Sequence, residues 1–195
     1  MDNSEEKLGL WQIVAEDYDA NGRDWTRPGF RTLAVYRFGV WRKGIGNPII
    51  RKFASFIYRI GFRWCRNIYG IELPYSAQLG RRVVIEHQGG IVVHGATTIG
   101  DGTIIRQGCT FGIRSLDKLD EAPKIGRDVN IGAGAVIIGN VTIGDGASIG
   151  ANAVVLHDVP AGALAIGIPA KLVERHNPTT ASMLQTEGES PFQIL

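Results

Sequence analysis

The sequence predicts a mainly β chain, a parallel coil of short strands about five turns long, with a small helical region in front of it. Three observations predict it: a six-residue apolar period after residue 70, glycine concentrated in the same stretch, and a helical pattern before it. Of the 26 glycines, eight lie in residues 1–70 and 18 in residues 71–195. Collagen would need glycine at every third position, and a disordered chain would need few aliphatics and a high net charge. With 44% hydrophobic residues, eight prolines and a net charge of +2, the chain is neither.

The N-terminal elements come first. A short amphipathic stretch around Leu8–Asp17 leads into the loop DANGRDWTRP, and a second helical segment spans Gly29–Lys43. A break with glycines at 44 and 46 precedes Pro48, which opens a longer segment to about Tyr69, because proline suits a helix start. The composition shift near Gly70 divides the chain into a helical region (1–70), a coil domain (71–175) and a tail (176–195). MDNSEEKLGLW lacks the basic-then-apolar order of a signal peptide, and no apolar run approaches the ~20 residues of a membrane span, so a cytoplasmic protein is expected. Cys65 and Cys109 are too few for a disulfide framework or a four-ligand zinc site.

The coil domain follows from its period. Large apolar residues occupy Leu73, Leu79, Ile85 and Ile91, then, after a two-residue slip, Ile99, Ile105 and Phe111. After an interruption they resume at Ile125, Ile131, Ile137, Ile143, Ile149 and Val155. A small or β-branched residue, such as Ala77, Val83, Cys109 or Ala135, stands two positions before the next slot. Six cannot repeat on a helix face, whereas strand side chains alternate with period two, so slot and small residue point inward together. Glycine beside the slot, as at Gly80, Gly126 and Gly144, suits a corner needing positive φ or close approach. Three strands close a triangular coil of about eighteen residues, and stacked coils share one core.

The stretches IEHQGGIVVHGATTIGDGTIIRQGCTFG and APKIGRDVNIGAGAVIIGNVTIGDGASIGANAVVLHDVPAG, closed by AIGIPAKLV, resemble the hexapeptide-repeat acyltransferases. Within that superfamily they are most similar to serine acetyltransferase and its glycan-acetylating relatives, with the stretch around His87 the most specific part. The resemblance implies a left-handed parallel β-helix, an exception to the usual right-handed crossover. It also implies acetyl-CoA as co-substrate and a homotrimer whose active sites lie between subunits.

Acetyl transfer to a hydroxyl requires a base, and a histidine with pKa near ~6.5 is mostly neutral at pH 7 and can serve. Among His87, His94, His157 and His176, His87 stands where the family carries its catalytic base. A carboxylate orients such an imidazole. The family's aspartate fifteen residues earlier corresponds here to Glu72. Glu86 matches an acceptor-contacting acid. Gly112, Ala133 and Ala151 match small residues beside the pantetheine arm, and Lys171 a basic position near the nucleotide phosphates. His94 is out of phase and reads as a surface or interface residue. No P-loop or dinucleotide-binding glycine pattern is present, and His87 with His94 supplies no three-histidine metal set.

The chain departs from the serine enzymes at the loop GIRSLDKLDEAP. Where they carry an Arg-His pair before Pro-Lys-Ile, Glu121 and Ala122 precede Pro123. An arginine pairs with a substrate carboxylate in two parallel hydrogen bonds, and glutamate would repel it. The expected acceptor is therefore a sugar hydroxyl in polysaccharide biosynthesis, with serine as the alternative and a non-catalytic β-helix scaffold as the alternative of another class. Residues 37–71 hold eight Lys/Arg and no acid, interleaved with aromatics. Such a helix suits an anionic membrane surface or packing against the coil or a neighbouring subunit. No nucleic-acid motif appears. Asp17, Asp19, Asn21 and Gly22 imitate the start of a calcium loop, but Pro28 stands at the twelfth position, which needs a bidentate glutamate.

Overall fold

The computed structural model describes residues 9–173. Helix α1 (Leu10–Ala20) extends beyond the expected Asp17, and its C-cap is Asn21. Helix α2 (Pro28–Trp41) has proline at its first turn, where the missing N–H costs nothing. A 3₁₀ turn, Arg42–Gly44, leads to α3 (Pro48–Trp64), where Asn47 Oδ1 accepts from the amides of Ile49 and Ile50. A π-helical turn, Cys65–Tyr69, continues α3, and Gly70 ends it in the left-handed region at φ +64.

Thereafter the chain winds around a triangular prism. The first face stacks β1 (Ile71–Glu72), β4 (Ile91–Val93), β7 (Thr110–Gly112), β10 (Val136–Ile138) and β13 (Val154–Val155), all parallel. The second stacks β2 (Gln78–Leu79), β5 (Thr98–Ile99), β8 (Lys124–Ile125) and β11 (Thr142–Ile143). The third holds β3 (Val84–Ile85), β6 (Ile104–Ile105), β9 (Asn130–Ile131), β12 (Ser148–Ile149) and β14 (Leu164–Ile166), and β15 (Lys171–Val173) closes it antiparallel to β14. Twelve of the thirteen large slots are buried, and Leu79 at the top of the second face packs half-buried against them. Leu79 pairs with Ile99 and Ile99 with Ile125, so the two phase slips lengthen individual coils at corners and leave the core in register. The second slip expels the loop after Gly112.

The corner glycines have a narrower role than expected. Those directly after a slot, including Gly80, Gly126 and Gly144, do not have positive φ. A Cβ on Gly126 would lie 2.5 Å from Asp145 Oδ1 and 2.8 Å from its amide nitrogen, so what excludes it is the coil below. Positive φ belongs to other glycines, such as Gly102 and Gly146, two residues further on.

The helices cap the open top of the prism, where strands lack a partner above. Asn21 acts as a substitute peptide: its Nδ2 donates to Val83 O at 3.1 Å, and its Oδ1 accepts from Ile85 N at 3.3 Å. On the second face Tyr36 Oη donates to Ala77 O and accepts from Leu79 N, at 2.8 and 3.0 Å. Burial pushes the Tyr36 phenol up, so it keeps the proton that it donates. Arg37 reaches Leu79 O and Gly80 O while its Nε pairs with the buried Asp17 at 2.7 Å. The calcium-like residues are thus used elsewhere: Asp17 on Arg37, Asp19 on Arg23, Asn21 on β3. The tail 176–195 lies outside the described residues.

Candidate active site

His87 is exposed on the corner that follows β3, and the cap fixes the strand beneath it. Asn21 holds the Ile85 amide, and Gly29 of α2 lies so close to Ile85 that a Cβ there would overlap its carbonyl oxygen and approach its Cβ to 2.8 Å. Gly89 and Gly90 then turn the chain at φ +101 and +67 into the first face.

The corners below stack on this one. Gly108 N donates to Gly89 O, Gly134 N to Gln107 O and Asn152 N to Ala133 O, each at 2.8 Å. His87, Ala133 and Ala151 therefore share one edge of the prism. Lys171 pairs in register with Ile166, the last residue of β14, and so stands at the bottom of that edge. At the usual strand spacing His87 and Lys171 are four coils, ~19 Å, apart. Gly112 lies across the first face, where an added Cβ would meet Ile138 Cδ1 at 3.0 Å.

Glu72 projects from the outer side of the first face, half-buried, opposite Val92 in register. No hydrogen bond joins it to His87 among the described residues. Glu86 is exposed and its Oε2 pairs with Arg106 Nε at 2.6 Å. Sequence reading missed Arg106, although Ile85 and Ile105 are in register and the residue following each is therefore stacked. His94 is half-buried at the other end of the first face, where its Nδ1 accepts from Ala96 N at 3.3 Å.

Cys109, one coil below the His87 corner, is fully buried and its Sγ faces Gly132 O at 3.3 Å. Burial pushes its thiol up, which keeps it protonated and unsuited to hold an acyl group. Between the expelled loop and the lower coils lies a cavity of about 300 Å³ lined by Arg114, Glu121, Asn140, Leu156, His157 and Asp158. It does not include His87.

Residues 122–157 match the family model described as "Bacterial transferase hexapeptide (six repeats)". The chain is 36% identical over 148 residues to a serine acetyltransferase of Helicobacter pylori, covering 76% of this chain and 82% of that one. It is 33% identical over 148 residues to the serine acetyltransferase of Synechococcus elongatus, covering 76% of this chain but only 58% of the relative. In three dimensions it matches the crystal structure of serine acetyltransferase in complex with coenzyme A from Brucella abortus at a TM-score of 0.69 and 26% identity, over 84% of this chain and 66% of that one. The parallel faces, the repeat match and these neighbours fit a left-handed β-helix.

These relatives overturn the expected sugar acceptor and the polysaccharide pathway, because they are serine acetyltransferases. The physical argument for a sugar treated Glu121 as a free charge. Its Oε1 instead pairs with Lys118 Nζ at 2.8 Å, and Arg114 stands on the same cavity wall.

Proposed function

Because the chain belongs to the serine acetyltransferase-like family of hexapeptide-repeat acyltransferases, we propose that it transfers the acetyl group of acetyl-CoA to the hydroxyl of serine, a step of cysteine biosynthesis. The observation that carries this is the edge on which exposed His87, Ala133, Ala151 and Lys171 follow one another down the prism. Small corners leave room for the pantetheine arm, and Lys171 supplies a cation for the phosphates.

His87 takes the hydroxyl proton as the serine oxygen attacks the thioester carbonyl. Backbone amides stabilise the tetrahedral oxyanion. Its collapse breaks the carbon–sulfur bond, and the imidazolium returns the proton to the departing thiolate. The protonated, buried Cys109 supports direct transfer without an acyl-enzyme. Glu72, which is not bonded to His87 among the described residues of the single chain, orients the imidazole in the assembled site, and Glu86, steadied by Arg106, meets the acceptor ammonium. Three chains form a homotrimer, with each active site completed by a neighbour. An exposed His87 with no hydrogen-bond partner among the described residues supports this. Two free, buried cysteines suit a reducing cytoplasm. A further part of the reading is peripheral attachment at a membrane surface, supported by the cations of residues 42–66, none with a carboxylate partner among the described residues.

Thiol release from acetyl-CoA is the test. Turnover with serine that drops ~10²–10⁴-fold in His87→Ala is expected. Absence of turnover with serine, or full activity in that variant, overturns the reading.

A further inference from the structure

The N-terminal helices carry a cleft of about 610 Å³ that includes no carboxylate and is lined chiefly by Arg42, Lys43, Arg51, Lys52, Arg59 and Tyr75. Arg42 is the informative member. It is 91% buried, its guanidinium lies 4.6 Å and 4.2 Å from the ring centres of Tyr58 and Tyr75, and its Nε has no hydrogen-bond partner among the described residues. A buried cation with an unused donor, ringed by four more cations, fits an anion with several acceptor oxygens.

Beside the cleft, α3 presents a second unpartnered feature. Ile49, Phe53, Phe56, Ile57, Ile60 and Trp64 are 44–78% exposed. At 100° per residue they fall within about 100° of the helix circumference. Ala54 and Tyr58 occupy the buried sector, and Arg51, Lys52, Arg59 and Arg63 fill the remainder. Apolar stripe and basic flank are the two parts of an in-plane membrane helix, and the cationic cleft beside them has room for a lipid headgroup phosphate.

We propose that α3 and the Arg42 cleft form a docking surface for anionic phospholipid, the cleft holding a lipid phosphate while the stripe enters the acyl boundary. This rests on the surface attachment inferred above and names its site. A second copy of the chain suits the surface poorly. The described acids of the helical region are already paired, Glu16 with Arg81, Asp17 with Arg37, Asp19 with Arg23 and Asp24 with Arg27, so a facing copy would bring cation to cation.

The experiment is co-sedimentation of the full chain with vesicles of phosphatidylcholine alone and of phosphatidylcholine with 30% phosphatidylglycerol. Binding is expected only to the second, with release by high salt. Arg51→Glu/Lys52→Glu is expected to weaken it about 25-fold or more, since each basic residue near such a surface is worth about fivefold. Phe53→Ser/Phe56→Ser is expected to weaken it at least about tenfold. All four side chains are exposed, so unchanged thermal unfolding separates lost docking from lost fold. Failure of the wild-type chain to bind anionic vesicles overturns surface attachment altogether. Binding that survives both double variants overturns the cleft and stripe while leaving attachment standing. A particle whose mass halves in Phe53→Ser/Phe56→Ser without lipid overturns the proposal in favour of a second copy. His87→Ala retains vesicle binding, so this site and the acetyl-transfer reading fail separately.

Discussion

Asn21 shows how one side chain serves both fold and site. Its amide closes Val83 O and Ile85 N, and Ile85 lies two residues before His87. Asn21→Ala leaves buried backbone groups unpaired, at about 1–3 kcal/mol each. A loss of about 2–4 kcal/mol in urea unfolding is expected, together with a fall in kcat from a loosened His87 corner. Asp17→Ala strands the buried Arg37 beside Leu79 O and Gly80 O. Removing one partner of a buried pair costs about 3–5 kcal/mol, which the same unfolding curve would show. These roles were hidden in the sequence, where Asp17, Asp19, Asn21 and Gly22 looked like a metal loop. The partners that give Asp17 and Asn21 their roles lie 20 to 64 residues away, and a local motif carries no information about them.

At the scale of the strand and corner, much more was legible. The six-residue period placed the inward slots because strand alternation and coil closure both demand it, and those slots form the buried core. The purpose of the corner glycines was less visible, since it depends on what the next coil places beneath them. Asp101 Oδ1 accepts from Arg81 N and Asp145 Oδ1 from Arg127 N, each at 2.8 Å, and Gly80 and Gly126 sit immediately above those carboxylates. Gly126→Ala forces its Cβ into Asp145, so a destabilisation of about 1–3 kcal/mol is expected in thermal unfolding. The Arg127 amide, and then its guanidinium, hold the Asp145 carboxyl below the usual range, and the Arg81 guanidinium does the same for Glu16. A lowered folded-state pKa gives stability that is present above the ordinary carboxylate range and lost as pH falls through the folded-state values. Asp145→Asn should therefore flatten the acid limb of stability against pH, leaving its slope near neutrality unchanged. The Glu86–Arg106 pair was equally hidden, because it forms between coils whose offset the corner insertions set.

For the whole molecule, the helical region and the coil are one structure in energetic terms. Without the cap, Ala77 O, Val83 O and Ile85 N would become an unpaired edge, and such edges recruit other strands. A chain lacking residues 1–70 is expected to associate, which light scattering would register as particles far larger than those of the full chain. The other end is handled differently. By turning back antiparallel on β14, β15 prevents a further parallel coil from being added. A prism stopped at both ends works as a ruler. Under the proposed acetyl transfer, the number of coils between His87 and Lys171 sets the span offered to the donor, and each added coil would lengthen it by ~4.8 Å. Inserting one eighteen-residue coil should leave the fold intact yet separate the thioester end of the donor from its phosphate end, raising KM for acetyl-CoA. On that proposal, the molecule measures its cosubstrate by counting turns.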